Sequence, residues 1–206
     1  MHLQERGFGN YDNKFEQLPT FNFSLHAYLQ TWKYFIHVEH ELKHDLTFRS
    51  SYLKAAKKFL ENATPLAWKK QNVLKVVIHV RRGDLINKIR QKRGWAKPNP
   101  GYFNRSMDYY RACHPRVLFV VLSNDIRWCR RNVVGDRVVY SVGRSPLVDM
   151  AIASLCDHAI ITMGTFSWWV AWFAGGITVT QKNFPTPDSF LARNYKDHYK
   201  PEWVSF

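Results

Sequence analysis

The sequence predicts an α/β protein built on a parallel, doubly wound, Rossmann-like sheet. Two observations carry that reading. Val73 to Val80 is a nearly continuous β-branched run, of the kind buried on both faces of a sheet. After it, short apolar runs alternate with segments of helical length, as parallel strands and their crossover helices do. A chain of 206 residues suffices for one full domain, or for one domain and part of another.

Taken in order, residues 1–38 are rich in aromatics, among them Tyr11, Phe15, Phe21, Tyr28, Trp32 and Phe35, without clear periodicity. Residues 50–61 predict a helix: Ser50 or Ser51 can cap it, and Tyr52, Leu53, Ala56, Phe59 and Leu60 recur at three- and four-residue spacing. Val73–Val80 is the first strand, followed by a basic loop from Gly83 to Pro100. Asn99 and Pro100 open a helix that carries Phe103, Met107 and Tyr110 on one side. Arg116–Leu122 is the second strand, and Ser123 caps a short helix through Arg131. Arg137–Tyr140 is the third strand, and Ser145-Pro146 opens a helix to about Cys156. Ala159–Thr162 is the fourth strand, Thr165–Ala174 a helix stopped by Gly175-Gly176, and Ile177–Thr180 the fifth strand. Ligands of such sheets bind at the carboxyl ends of the strands, where loops and helix N-termini converge. Strand order is not legible at this level.

Composition narrows the classes. The chain is 46% hydrophobic and 16% aromatic, which excludes a disordered, solvating chain. No run approaches the roughly 20 apolar residues that span a bilayer; Trp168 to Val179 comes nearest and holds two glycines. No basic-then-apolar leader opens the sequence, so the expectation is a cytosolic protein or one whose targeting segment lies upstream of Met1. The formal net charge is +14, and 14 Lys or Arg against 3 Asp or Glu fall within residues 71–131. Such a block suits a phosphate, a nucleic acid or an anionic surface; a merely solvated basic face is the bland alternative. Cys113, Cys129 and Cys156 show no metal or CxxC spacing and allow one bridge at most. Asn22, Asn62 and Asn104 each begin an Asn-X-Ser/Thr acceptor and lean toward a secretory route.

The sharpest chemical feature is HVRRGD, His79 to Asp84, at the end of the first strand. Arginine offers a planar fork of donors that matches phosphate oxygens. If the strand continued, Arg81 and Arg82 would point to opposite sides, so that one meets a ligand while the other braces Asp84 or a neighbouring helix. A strand-end ion pair without a ligand is the alternative. Leu122-Ser123-Asn124-Asp125 stands at another strand end and serves either as a helix cap or as part of a site. Thr165-Phe166-Ser167 after Gly164 likewise fits a helix cap or an anion site at a helix N-terminus. Asp149 reads as a surface carboxylate, or as the acceptor for a guanine N1–H and 2-amino pair. There is no Asp-X-Asp, no metal-spaced His/Cys/carboxylate cluster, and no GxSxG, GxxxxGK[ST] or GxGxxG.

HVRRGD, then LSNDIRWC, then the run Asp149 to Gly176 (DMAIASLCDHAIITMGTFSWWVAWFAGG), together with the upstream Tyr28-Leu-Gln-Thr-Trp-Lys-Tyr-Phe35 and the ending Tyr199-Lys-Pro-Glu-Trp203, resemble the galactoside α-1,2-fucosyltransferases. The HxRRxD element alone is shared with fucosyltransferases acting on other acceptors. The resemblance implies a GT-B-like enzyme with two Rossmann domains that transfers L-fucose from GDP-fucose to a galactose 2-hydroxyl. It implies inversion at the anomeric carbon, no metal and no cofactor, GDP-fucose being the donor substrate.

It also implies a Golgi location on the lumenal side through an N-terminal membrane anchor. Against that pattern this sequence is expected to lack the anchor and much of the N-terminal domain, with residues 1–70 a remnant of the acceptor-side domain and residues 71–206 the donor-binding domain. Carried onto this chain, the resemblance makes Arg82, with Arg81 and His79 beside it, the diphosphate contact. Thr165, Phe166 and Ser167 close on phosphates and fucose, Asp149 faces guanine, and Asn124 and Asp125 border the nucleotide. Asp84 is either a general base or, as favoured here, an ion-pair partner for an arginine.

Three rival readings remain: a related transferase with another acceptor, an inactive truncated relative, and a basic nucleic-acid binder. The last is disfavoured, because Trp168, Trp169 and Trp172 lie in an apolar helix instead of interleaving with Lys and Arg.

Overall fold

The computed structural model describes residues 2–7 and 9–206. Six strands form one sheet, all parallel: β3 (Leu74–Val80), β4 (Val117–Ser123), β5 (Val138–Tyr140), β6 (His158–Ile161), β7 (Thr178–Thr180) and β8 (Val204–Ser205). A separate parallel pair, β1 (His2–Gln4) with β2 (Ser24–His26), lies in the N-terminal segment. The order across the large sheet is β5-β4-β3-β6-β7-β8. The chain therefore winds outward from β3 in one direction through β5, then returns to the other side of β3 and winds outward again. The reversal lies between β3 and β6, which is where doubly wound sheets open a crevice for ligand.

The helices are α1 (Glu39–Asp45), α2 (Ser50–Ala63), α3 (Lys88–Lys92), α4 (Pro100–Cys113), α5 (Ile126–Asn132), α6 (Pro146–Ala153), α7 (Thr165–Ala174) and α8 (Phe190–Asn194). Alternation along the strands divides the core between the two faces. Val77, Leu118, Val120, Leu122, Ala159 and Ile161 meet α2, α6 and α7 through Ala56, Leu60, Ala151, Ile152, Val170 and Ala171. Val76, Ile78, Val80, Phe119, Val121 and Ile160 meet α4 and α5 through Phe103, Met107, Tyr110 and Cys129. Each fully buried aliphatic side chain contributes about 1.5–3 kcal/mol, which is why the β3–β4 pair dominates the core. Tyr102 and Tyr110, both buried on α4, direct their hydroxyls at strand carbonyls: Tyr102 to Ile161 and Val179 (2.7 and 2.9 Å), Tyr110 to Ala159 and Ile177 (3.1 and 2.8 Å). These bonds satisfy acceptors where β6 and β7 meet α4.

The doubly wound reading is borne out, with local corrections. Residues 83–100 are not one loop: a 3-10 turn (Gly83–Ile86) and α3 occupy its first half. Asn87 accepts from the Arg90 N–H and so starts α3 without any apolar periodicity. Asp125, not Ser123, caps α5, accepting from the Trp128 N–H at 3.0 Å. Ser123 instead donates to the Val80 carbonyl at 2.7 Å and accepts from the Asp125 N–H, tying the ends of β4 and β3 together. A sixth strand, β8, extends the sheet beyond the five expected; two residues are too few to leave a pattern.

Candidate functional site

The carboxyl ends of β3, β4, β5 and β6 present the singled-out residues along one ledge. β3 ends at Val80, and the chain turns at Arg82 (φ −132°, ψ −118°) into the 3-10 turn that begins at Gly83. That turn sends the two arginines in different directions. The Arg81 N–H donates to Thr162 Oγ1 beyond the end of β6 (2.9 Å), and its guanidinium pairs with Asp84 (2.7 Å). Its side chain runs past the start of α7: a Cβ on Gly164 would lie 3.9 Å from Arg81 Cγ. Arg82 faces β4 instead. Its N–H donates to Asn124 Oδ1 (3.0 Å), its Nε to Asp125 Oδ2 (3.1 Å), and its guanidinium lies 4.1 Å from the centre of the Trp128 ring. Nε alone is engaged in this way, and the two Nη groups make no hydrogen bond among the described residues.

Local sequence explains each placement. Gly83 adopts φ +51°, and Asn124 packs so closely on it that a Cβ would fall 2.5 Å from Asn124 Nδ2; glycine is required for that approach. Burial draws the Asp125 carboxyl upward, but the Trp128 N–H and the Arg82 guanidinium more than offset it and hold it below the ordinary carboxylate range. Asp84 is largely exposed and is the ion-pair partner of Arg81.

The first turn of α7 closes the other side of the switch point. Gly164, at φ +96° and ψ 160°, makes the entry and supplies no side-chain cap, whereas Asn99, Asp125 and Ser145 cap α4, α5 and α6. The leading N–H groups of α7 thus keep their hydrogen-bonding capacity and the positive end of the helix dipole. Thr165 is exposed, Phe166 half-buried and Ser167 buried.

Ser167 donates to the Met163 carbonyl (2.9 Å), so its one proton is taken and His79 must be the donor across the 2.6 Å contact between Nδ1 and Ser167 Oγ. His79 and Ser167 therefore dock α7 onto β3 from inside. Burial, with Arg81 adding to it, lowers the His79 pKa to about 3, so its imidazole is neutral at physiological pH. The Phe166 ring lies 4.9 Å from that of His79.

Asp149 lies in the first turn of α6 and accepts from Ser141 at the end of β5. Burial raises its pKa, opposed by the Ser141 hydroxyl and the Arg144 charge. The structure thus sets Arg81 and the start of α7 at the β3–β6 reversal and Arg82, Asn124 and Asp125 beside them at the ends of β3 and β4, with Asp149 further along the same edge. Asn22, Asn62 and Asn104 are exposed, the last two on α2 and α4. A cavity of about 570 Å³ lined by Lys57, Trp68, Lys69 and Lys75 sits at the opposite, amino end of β3, where nothing from this ledge reaches.

Sequence reasoning did not single out Trp128, Thr162, Ser141 or Gln30. Trp128 was legible in principle: it stands three residues after Asp125, one helical turn from the cap. Gln30, which donates to Thr165 Oγ1 at 3.0 Å from 135 residues away, lies in the Tyr28–Phe35 segment that carried the resemblance, but nothing in the sequence tied it to Thr165. Among the described residues, no three His, Cys, Asp or Glu side chains gather as metal ligands would, and no helix is long and apolar enough to cross a membrane.

A family model described as glycosyl transferase family 11 matches residues 6–206. Similar curated proteins include galactoside alpha-(1,2)-fucosyltransferase 1 of Alouatta belzebul and of Alouatta caraya, each 34% identical over 182 residues. That of Ateles belzebuth is 34% identical over 181 residues. Each of these alignments covers 84% of this chain and 50% of the relative, so the chain spans about half the length of the curated relatives it matches. No solved structure matches the chain significantly.

Proposed function

This chain belongs to glycosyl transferase family 11, and on that premise we propose that it transfers L-fucose from GDP-fucose to the 2-hydroxyl of a terminal galactose, with inversion and without a metal ion. The observation that carries the reading is that one carboxyl edge of the sheet carries Arg81 and an uncapped helix N-terminus at the β3–β6 reversal, with Arg82 next to them on the β4 side of β3. As the bond between the anomeric carbon and the β-phosphate oxygen breaks, its electron pair leaves with GDP and negative charge grows on the diphosphate. Arg82, with Arg81 and the leading N–H groups of α7, answers that charge with fixed donors. The acceptor oxygen bonds the anomeric carbon from the opposite face and gives up its proton to water, the departing GDP carrying off the electron pair of the broken bond. Asp149 takes the guanine edge, and Asn124 and Asp125 hold Arg82 in register. A lumenal Golgi setting belongs to the same reading, supported by the exposure of the three Asn-X-Ser/Thr acceptors.

Thermal unfolding with GDP, GDP-fucose and UDP side by side tests the donor assignment. GDP and GDP-fucose at 100 times their Kd should each stabilise the fold by about 2.7 kcal/mol. A preference for UDP, or no response to any of the three, overturns it.

A further inference from the structure

Residues 28–35 cross the front of α7 and enclose with it a pocket of about 150 Å³. Aromatic rings form much of its wall. Phe35 stacks on Trp169 (centroids 6.1 Å, planes 13° apart), and Trp168 stands edge-on to both at 5.6 and 5.2 Å. Tyr28, Leu29, Gln30, Thr31, Thr165 and His198 complete the lining, and no Lys, Arg, Asp or Glu lines it. Thr165 is also the first residue of α7, so the pocket adjoins the ledge that carries the arginines.

His198 is the informative member. It is 2% exposed, and its Nδ1 lies 3.2 Å from the Gln30 carbonyl oxygen. A carbonyl only accepts, so Nδ1 carries the proton and Nε2 is left with a bare lone pair. Nε2 is buried and has no hydrogen-bond partner among the described residues. Native proteins rarely leave a buried acceptor unmatched, and His198 is one of the residues that line the cavity. Burial, only partly opposed by the Gln30 carbonyl, lowers the pKa to about 4, so the lone pair persists at neutral pH.

The opposite wall is held at a conformational cost. Leu29 adopts φ +52°, in the left-handed region that branched residues avoid, and the Tyr28 and Leu29 N–H groups are fastened to Glu5 Oε2 at 2.8 and 3.3 Å.

An uncharged pocket with aromatic walls and one unmatched acceptor asks for a neutral ligand that has a C–H face and a hydroxyl to donate. We propose that it seats the galactose ring of the acceptor, its apolar face against the tryptophans and one ring hydroxyl donating to His198 Nε2. This rests on the fucosyl-transfer reading and extends it: Thr165 would stand between the two sugars, and His198 is a specificity residue that selects a hydroxyl by position.

The test titrates methyl β-D-galactoside and, separately, GDP into the full chain by NMR, with His198→Leu and Tyr28→Ala as variants. The expected result is a loss of galactoside affinity of tenfold or more in both variants, with GDP affinity within twofold of the parent. In the parent, the galactoside should also shift the His198 Nε2 resonance in the direction of an accepted hydrogen bond. Galactoside affinity unchanged in both variants, no galactoside binding where GDP binds, or displacement of galactoside by GDP each overturns the pocket assignment and leaves the donor reading standing. Failure of GDP to bind the parent removes the donor reading instead, and this proposal with it. Should His198→Leu not fold, Tyr28→Ala decides alone, since Tyr28 is 73% exposed and its truncation leaves the core intact.

Discussion

Truncating Arg82 separates the work this side chain does for the fold from the work proposed for it on the diphosphate. Its guanidinium lies 4.1 Å from the Trp128 ring centre with the side chain 14% exposed, and its Nε pairs with a carboxylate that is 33% exposed. Stacking in so covered a place contributes about 1–2 kcal/mol, and the partly solvated ion pair at most about 1 kcal/mol. Arg82→Ala should therefore cost about 2 kcal/mol, which for a chain of this size lowers Tm by roughly 4–8 °C.

The same substitution removes a charge-assisted contact to phosphate worth about 1.5–3 kcal/mol, so GDP affinity should fall about 10- to 150-fold. Arg82→Lys retains a cation but neither the fork nor the stack, and should recover only part of that loss. Calorimetric titration with GDP below the lowered Tm reads the two effects apart. A folded Arg82→Ala protein that binds GDP within about threefold of the parent would refute the diphosphate role, and an unchanged Tm would refute the stacking argument.

Three further outcomes are expected. Gly164→Ala meets open space, with its nearest neighbours at 3.9 Å, but φ +96° with ψ 160° is a conformation reserved for glycine. It should lose about 1–3 kcal/mol in chemical denaturation and bind GDP more weakly, and wild-type stability would remove the strain argument.

Acid should destabilise the protein well before its carboxylates titrate. Unfolded imidazoles take up protons near pH 6.5, whereas buried His79 and His198 stay neutral to about 3 and about 4. Each therefore withdraws about 2 kcal/mol of stability between pH 7.5 and 5. Equal denaturation midpoints at those two pH values would contradict the buried neutral state. Transfer from GDP-fucose should survive EDTA, and inhibition reversed by manganese would rule out the metal-independent mechanism.

The elements that form around β3 were legible because their cause is local. Val73–Val80 is apolar on both faces, Pro100 and Pro146 stand at helix starts, and Gly175, at φ +74°, ends α7 where its lack of a Cβ makes that turn cheap. HVRRGD and the start of α7 could be nominated for the same reason: residue types at strand ends carry chemistry that depends little on what lies far away. The ion pair of Arg81 with Asp84, three residues apart, belongs with them.

Tertiary structure decided the rest. The order β5-β4-β3-β6-β7-β8 is not written in the strands, because a strand buried on both faces accepts any parallel neighbour of similar length, and only packing of the crossover helices selects one. Ser123 and Asp125 have equal aptitude as caps, and the backbone turn beyond β4 chose Asp125. Whether Arg82 braces or binds depended on a turn two residues past the strand that set its guanidinium over Trp128. The aromatic pocket joins residues 28–35 to 165–169 and to His198, both of which lie at least 130 residues further along the chain. Alternation and capping act over a few residues, whereas the cost of burying an unmatched imidazole nitrogen arises only when distant segments close around it.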